Sequence, residues 1–224
     1  MLNASNTVRE DPAMADGSAF SAPLAGIDAG RFELHRGASH VAIRGAADMD
    51  DLFRARFEGP VPEVTTEGGT VRIRHRNLSP ADWARLALLT RHQSADIALN
   101  ASIPWHIELR GGVSRLSASF EGLRVTSLEV RGGASHVEVE LGRPDAIVPV
   151  RVAGGASHVT IWRPAGVPVR ATVRGGISRF ALDDQRFGSI GGESRLVAGD
   201  WQSAAAGYDV EVRGGASHLS IGSR

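Results

Sequence analysis

From residue 97 onward, apolar and polar residues alternate in short runs that break at pairs of glycines. In Leu128-Glu129-Val130-Arg131 every second residue is apolar, and the alternation resumes through Ser135, His136, Val137, Glu138, Val139, Glu140 and Leu141. A period of two marks a β-strand with one buried face. Val130 and Val137 lie an odd number of residues apart, so strict alternation cannot turn both inward. Gly132-Gly133 absorbs the change of phase, because glycine accepts the positive φ of a corner or bulge. Gly142-Arg143-Pro144-Asp145 then supplies a turn. Each unit is predicted as strand, glycine corner, strand and turn, before the next strand begins.

The unit recurs. RGGVSRL starts at Arg110, RGGASHV at Arg131, AGGASHV at Ala153, RGGISRF at Arg174, IGGESRL at Ile190 and RGGASHL at Arg213. A degenerate copy, HRGASHV, starts at His35. The marker serines of the six full copies are spaced 21, 22, 21, 16 and 23 residues apart. A unit this short cannot bury its apolar side alone, whereas stacked units can. The predicted fold is all-β: a single-domain β-solenoid, like a parallel β-helix, with coils of about 21 residues. Tight hairpin signals are scarce, which argues against an antiparallel sandwich or barrel.

Stacking places equivalent residues in columns. Leu109, Val130, Val152, Val173 and Val212 form one inward column, and Leu116, Val137, Val159, Phe180, Leu196 and Leu219 a second. The marker serines share the parity of the second column and are predicted to point inward as a hydrogen-bonded ladder. The structural repeat then comprises Gly111, Gly112 and Ser114; Gly132, Gly133 and Ser135; Gly154, Gly155 and Ser157; Gly175, Gly176 and Ser178; Gly191, Gly192 and Ser194; and Gly214, Gly215 and Ser217. Outward columns are polar. Arg110, Arg131, Arg174 and Arg213 precede the glycines, and Arg115, His136, His158, Arg179, Arg195 and His218 follow the serines. These residues are the candidate interaction face. Glu108, Glu129 and Glu211 stand two residues before the arginine column and can neutralise it.

The first half is less regular. Residues 1–25 lack periodicity and read as a mobile N-terminal tail. Residues 26–224 form the solenoid domain, with 26–96 as an irregular lead-in and cap and 97–224 as the regular repeats. EVTTEGGTVRIRHR, from Glu63, alternates around Gly68-Gly69 as a hairpin or a coil. Ser79-Pro80-Ala81-Asp82 opens one short helix, with Trp83, Leu86 and Leu89 at helical spacing. At the other end, the last copy finishes three residues before Arg224. Its rung is predicted to be an open edge, which leads to a homo-oligomer formed by pairing that C-terminal rung with a second copy.

Composition narrows the chemistry. The 25 basic residues, all arginine, equal the 25 acidic ones, and there is no cysteine. Zinc–thiolate sites, disulfides and thiol catalysis are excluded. The absence of lysine excludes Schiff-base chemistry and the phosphate-binding loop that requires that residue. Neutral charge gives no support to a nucleic-acid partner. No 18-residue apolar stretch or secretory signal appears, so no direct membrane insertion and a cytoplasmic location are expected.

Candidate catalytic groups fare no better. GASH departs from the G-x-S-x-G elbow, and a serine recurring at Ser39, Ser135, Ser157 and Ser217 reads as a ladder, not a nucleophile. His136 and His158 have only Glu138 as a further ligand, too few for a metal site. Asp183-Asp184 has no matching acid. Trp83, Trp105, Trp162 and Trp201 are not periodic and are assigned to packing in the core or cap. No cofactor, metal or catalytic residue is expected, and the chain is not read as an enzyme.

The segments RPAGVPVRATVRGGISRF, AAGYDVEVRGGASHLSI and FRARFEGPVPEVTTEGGTVRIRH resemble bacterial toastrack, or adhesin-like, β-solenoid domains of unknown function. The resemblance covers roughly residues 30–224. It implies the solenoid fold, a link with envelope-stress sensing, and no catalytic residue to carry over. The expected function is therefore a non-enzymatic scaffold or protein-interaction module with an unidentified protein partner. The alternative is a ligand-binding or enzymatic protein with a groove between lead-in and solenoid.

Overall fold

The computed structural model describes residues 8–11, 17–35, 40–74 and 94–224. The helix expected from Ser79 lies outside them. The first strands are β1 (Arg9–Asp11), β2 (Ser18–Pro23), β3 (Gly30–His35), β4 (His40–Ala46), β5 (Asp51–Glu58), β6 (Glu63–Glu67), β7 (Thr70–Arg74) and β8 (Ser94–Asn100). The repeat region follows as β9 (Trp105–Arg110), β10 (Val113–Phe120), β11 (Val125–Arg131), β12 (Ala134–Leu141), β13 (Ile147–Ala153) and β14 (Ala156–Arg163). It ends with β15 (Val169–Arg174), β16 (Ile177–Leu182), β17 (Gln185–Phe187), β18 (Glu193–Ala198), β19 (Gly207–Arg213) and β20 (Ala216–Ser223).

Each glycine corner folds one unit into two strands, one in each of two facing sheets. An eleven-stranded sheet runs β1-β2-β5-β8-β4-β10-β12-β14-β20-β16-β17, and a nine-stranded sheet runs β18-β15-β19-β13-β11-β9-β3-β7-β6. Successive coils pair in parallel: Leu128 lies opposite Val150, and Val137 opposite Val159. The fold is the expected all-β solenoid. The core is the continuous layer between the sheets, filled by Leu109, Val130, Val152, Val212 and Val173 from one side and Leu116, Val137, Val159, Leu219 and Phe180 from the other. Burying each such side chain contributes about 1.5–3 kcal/mol, which a single coil could not collect alone.

The spatial order of coils differs from the chain order. β19 lies between β13 and β15, and β20 between β14 and β16. The last copy is thus an interior rung with both edges paired. The open C-terminal edge predicted for a homo-oligomer does not exist at that rung, and the argument for pairing through it falls. The copy at Ile190, by contrast, is not a rung. Its strand, β18, runs antiparallel to β15 with Leu196 opposite Ala171, so Gly191, Gly192, Ser194, Arg195 and Leu196 leave the repeat columns.

The other end mirrors this plan. β3 and β4 form a coil beside β9 and β10, and β7 and β8 form another outside it. Antiparallel strands then close the stack: β6 beyond β7, and β5, β2 and β1 beyond β8. Charges in Glu63–Glu67 and the brevity of β17 blunt the edges. Residues 18–23, assigned to a mobile tail, are sheet, with Phe20 and Ala22 buried. The lead-in is also more regular than its sequence suggests, since β3, β4, β7 and β8 all continue the parallel pairing of the repeats.

Asn100 ties this end together. Its amide donates to the carbonyls of Met49 and Asp51 at 2.6 and 2.8 Å, and its side-chain oxygen accepts from Ser102. Trp105 is fully buried, and its indole N–H donates to the Asn100 carbonyl at 2.7 Å.

Candidate interaction faces around the glycine edge

In the five rungs that keep the repeat, the first glycine of the pair builds the corner: Gly111, Gly132, Gly154, Gly175 and Gly214 all have positive φ. Gly132 has φ +121°, and a Cβ there would sit 2.7 Å from the Gly111 carbonyl oxygen of the adjoining rung. Gly133 has no such φ, and its Cβ would meet nothing within 4 Å. The steric need for glycine therefore falls on one position of the pair, where the sequence reading treated both alike.

The marker serines face solvent, not the core. Ile177 and Phe180 are buried while Ser178 and Arg179 between them are exposed. Buried Ala216 and Leu219 likewise flank an exposed Ser217 and a half-buried His218. The ladder register steps from Ile177–Ala216 directly to Arg179–His218, skipping the serines. The phase change thus extends past the glycines into a bulge at serine, which puts two consecutive residues outward. Among the described residues no inward serine ladder forms.

The candidate interaction residues divide between the two sheets on either side of this edge. On the nine-stranded sheet, Arg110, Arg131, Arg213 and Arg174 stand in one column, interrupted by Ala153. Glutamates neutralise it: Arg131 reaches Glu129 at 2.8 Å, Arg213 reaches Glu211 at 3.0 Å and Arg174 reaches Glu211 at 3.4 Å. Ala153 leaves a hollow of about 530 Å³, flanked by Arg131, Arg151 and Arg213. Arg195 faces the same side from β18, opposite Thr172.

Further along this sheet, Glu33 takes hydrogen bonds from Arg31 and Arg72 at 2.7 and 2.8 Å. Burial pushes its carboxyl up, but these arginines and His35 outweigh that and hold it at about 2. Glu108, only 1% exposed, is opposed by burial in the same way and is lowered by Arg110 and Arg31. Ser127 and His106 are in close hydrogen-bond contact on neighbouring rungs. Burial first, then Arg31, keeps that imidazole below its ordinary range. Glu108 is spent on Arg31 and Arg110 and does not orient the pair.

The eleven-stranded sheet carries the second column. It reads His40, Arg115, His136, His158, His218, Arg179 across six adjoining strands. Three imidazoles stack face to face. His136 and His158 have centroids 4.8 Å apart at 4°, and His158 and His218 are 4.5 Å apart at 9°. Arginines flank the stack: Arg179 donates to His218 Nε2 at 2.6 Å and Arg115 to His40 Nε2 at 3.3 Å. Burial, Arg179 and His158 hold His218 below the usual histidine range. Its Nδ1 is buried without a partner.

Parallel rings aim their lone pairs side by side, not at one ion. Among the described residues no three His, Asp or Glu side chains converge as a metal group. Glu138, the third ligand weighed from sequence, accepts from the Trp162 indole at 3.2 Å instead. Asp183 is a structural ion pair. Arg163 grips it with both terminal nitrogens at 2.8 and 2.6 Å, and this hydrogen bonding lowers its carboxyl. Sequence reasoning did not find the stack as a unit, although the recurring GASH phrase contains it.

A two-sheet parallel solenoid with polar columns beside a glycine edge is the class this chain defines. It belongs to the toast_rack family: the N-terminal domain of toast_rack, DUF2154, matches residues 11–162. No curated protein matches it. Among solved structures, the "putative cell adhesion protein" of Clostridium sporogenes ATCC 15579 is similar at 18% identity and a TM-score of 0.73, over 97% of this chain and 100% of that one. That likeness is one of fold. The "putative adhesin" of Bacteroides fragilis NCTC 9343 is 10% identical over 96% of both chains, with a TM-score of 0.32. Among the described residues no helix is long and apolar enough to cross a membrane.

Proposed function

We propose that this chain is a non-enzymatic interaction scaffold that engages an acidic protein surface through the column Arg115, His136, His158, His218 and Arg179. The observation that carries the reading is the contrast between the two columns. The arginines of the nine-stranded sheet are matched by glutamates, whereas among the described residues Arg115 and Arg179 have histidines and no carboxylate as side-chain partners. Five cationic or protonatable groups at rung spacing, about 4.8 Å apart, suit a repeating array of carboxylates. The neighbouring outward column, Ser117, Glu138, Thr160, Ser220 and Ala181, has one acid to oppose them.

Burial and Arg179 hold His218 below the usual histidine range, so its protonation in acid adds positive charge to the column; binding strengthens as pH falls and weakens with salt. The envelope-stress link implied by the family resemblance makes an envelope protein the first partner to test. The test is a cross-linked pull-down from native extract at pH 6 and pH 7.5, with wild type, a His136→Ala/His158→Ala/His218→Ala variant and an Arg131→Ala/Arg213→Ala control. A partner retained by the control, lost by the triple variant and enriched at the lower pH is the expected result. Identical partner sets for all three proteins would refute the reading.

A further inference from the structure

Away from the glycine edge, the outer face of the eleven-stranded sheet carries a hollow of about 570 Å³ where β1, β2, β5, β8 and β4 adjoin. Its form follows from register. Arg9 pairs with Ser21, Ser21 with Arg54, Arg54 with Ala98, and Ala98 with Arg44. Along this row each arginine is followed by a small residue, so guanidinium walls stand about 10 Å apart with a shallow floor between them. Arg56 stands in the next row, between Ala19 and Asp96.

Four arginines thus line the hollow against two aspartates, Asp48 and Asp96. Much of their pairing capacity is free. Arg54 binds Asp51 at 2.6 Å, but Arg44 reaches Asp96 only at 3.8 Å, with both side chains more than half exposed. Arg9 and Arg56 have no carboxylate partner among the described residues. This is the reverse of the arginine column on the other sheet, where glutamates match the cations.

We propose that this hollow binds a sugar or polyol phosphate. A phosphate monoester carries close to two negative charges at neutral pH and three strong acceptor oxygens. Guanidinium forks match that geometry, and Arg44 and Arg56 stand on either side of Asp96 and Ala98 to supply it. The floor at Ala98 leaves room for the ligand body. Asp48 and Asp96 accept hydroxyl hydrogen bonds, which selects a hydroxylated body. The volume lies within the range of small-molecule sites. This site is separate from the histidine column and does not depend on it.

Isothermal titration calorimetry at low salt tests the proposal, with glucose 6-phosphate as probe and glucose and inorganic phosphate as controls. The proteins are wild type, Arg44→Ala/Arg56→Ala, and Arg143→Ala/Arg186→Ala, which removes the same charge elsewhere on the exposed surface. Thermal melts check folding, and Arg56→Gln alone provides a milder variant. Wild type and the charge control should bind glucose 6-phosphate saturably, and the Arg44/Arg56 variant at least about tenfold more weakly. Glucose should give no heat, and inorganic phosphate should bind more weakly than the ester. Absence of saturable binding to wild type would overturn the proposal. So would equal loss in both double variants, or inorganic phosphate binding as tightly as the ester.

Discussion

Replacing Gly132 and Gly133 by alanine, one at a time, separates the steric role of the two corner positions. At Gly132 the new methyl would lie 2.7 Å from the Gly111 carbonyl oxygen and 3.0 Å from its carbon, on a backbone with φ +121°. Holding an ordinary residue there costs about 1–3 kcal/mol in backbone strain. Relief by moving the rung is opposed by flanking hydrogen bonds, since Gly111 N–H donates to Arg131 and Gly132 N–H to Ala153, both at 2.9 Å. Breaking or stretching each costs about 1 kcal/mol. The expected loss is therefore about 3–5 kcal/mol, a large share of a domain's usual stability of roughly 5–15 kcal/mol. At Gly133 the methyl enters open space. Its effect should stay within about 1 kcal/mol and can be favourable, because alanine restricts the unfolded chain. Urea midpoints followed by far-UV circular dichroism measure both. If Gly133→Ala is as costly as Gly132→Ala, or if Gly132→Ala is neutral, the assignment of the corner is wrong.

The Glu33 cluster should make stability sensitive to acid. With its carboxyl held at about 2 against an ordinary 4.5, the unfolded chain takes up the proton before the folded one, so this stabilisation is complete above about pH 4.5 and fades as pH falls towards 2. Urea midpoints against pH should drop less steeply over that window for Glu33→Gln than for wild type, and equal slopes would contradict the assignment. Asn100→Ala leaves the Met49 and Asp51 carbonyls without their donor and should cost about 2–4 kcal/mol in a reversible melt; a loss under about 0.5 kcal/mol would mean that water replaces the amide. Leu219→Lys, which an exposed last rung would tolerate, places an ammonium in the interior where Leu219 is 2% exposed. The variant should lose its strand dichroism at room temperature, and a folded variant with altered sedimentation would restore the open-edge view.

The inward columns were legible because their signal is a simple period: Val130, Val152 and Val212 keep one phase relative to their glycines, and all are buried. Rung order was not legible. Near-identical copies can pair in any order, and only an irregular spacing hinted otherwise. Ser178 and Ser217 are 39 residues apart, and the copy between them, at Ile190, forms an antiparallel edge. Serine orientation was missed because parity was carried across a bulge that composition does not reveal. Alternation places the arginine and histidine columns outward, but it cannot say which neighbours neutralise them. That depends on cross-strand register, as between Arg174 and Glu211. The hollow at Arg44 and Arg56 had no sequence signal, because its row runs across four connections of the chain.

The interior position of β19 and β20 has a kinetic side. Both of their neighbours on each sheet precede them in the chain, so β15 and β16 emerge from the ribosome before the strands that will separate them from β13 and β14. RGGISRF and AGGASHV share the same corner geometry, and nothing in their pattern prevents direct pairing in the meantime. Such a premature stack would be one rung short yet locally well made, and reaching the final arrangement would require it to reopen. The order of synthesis thus builds a competing register into the folding route.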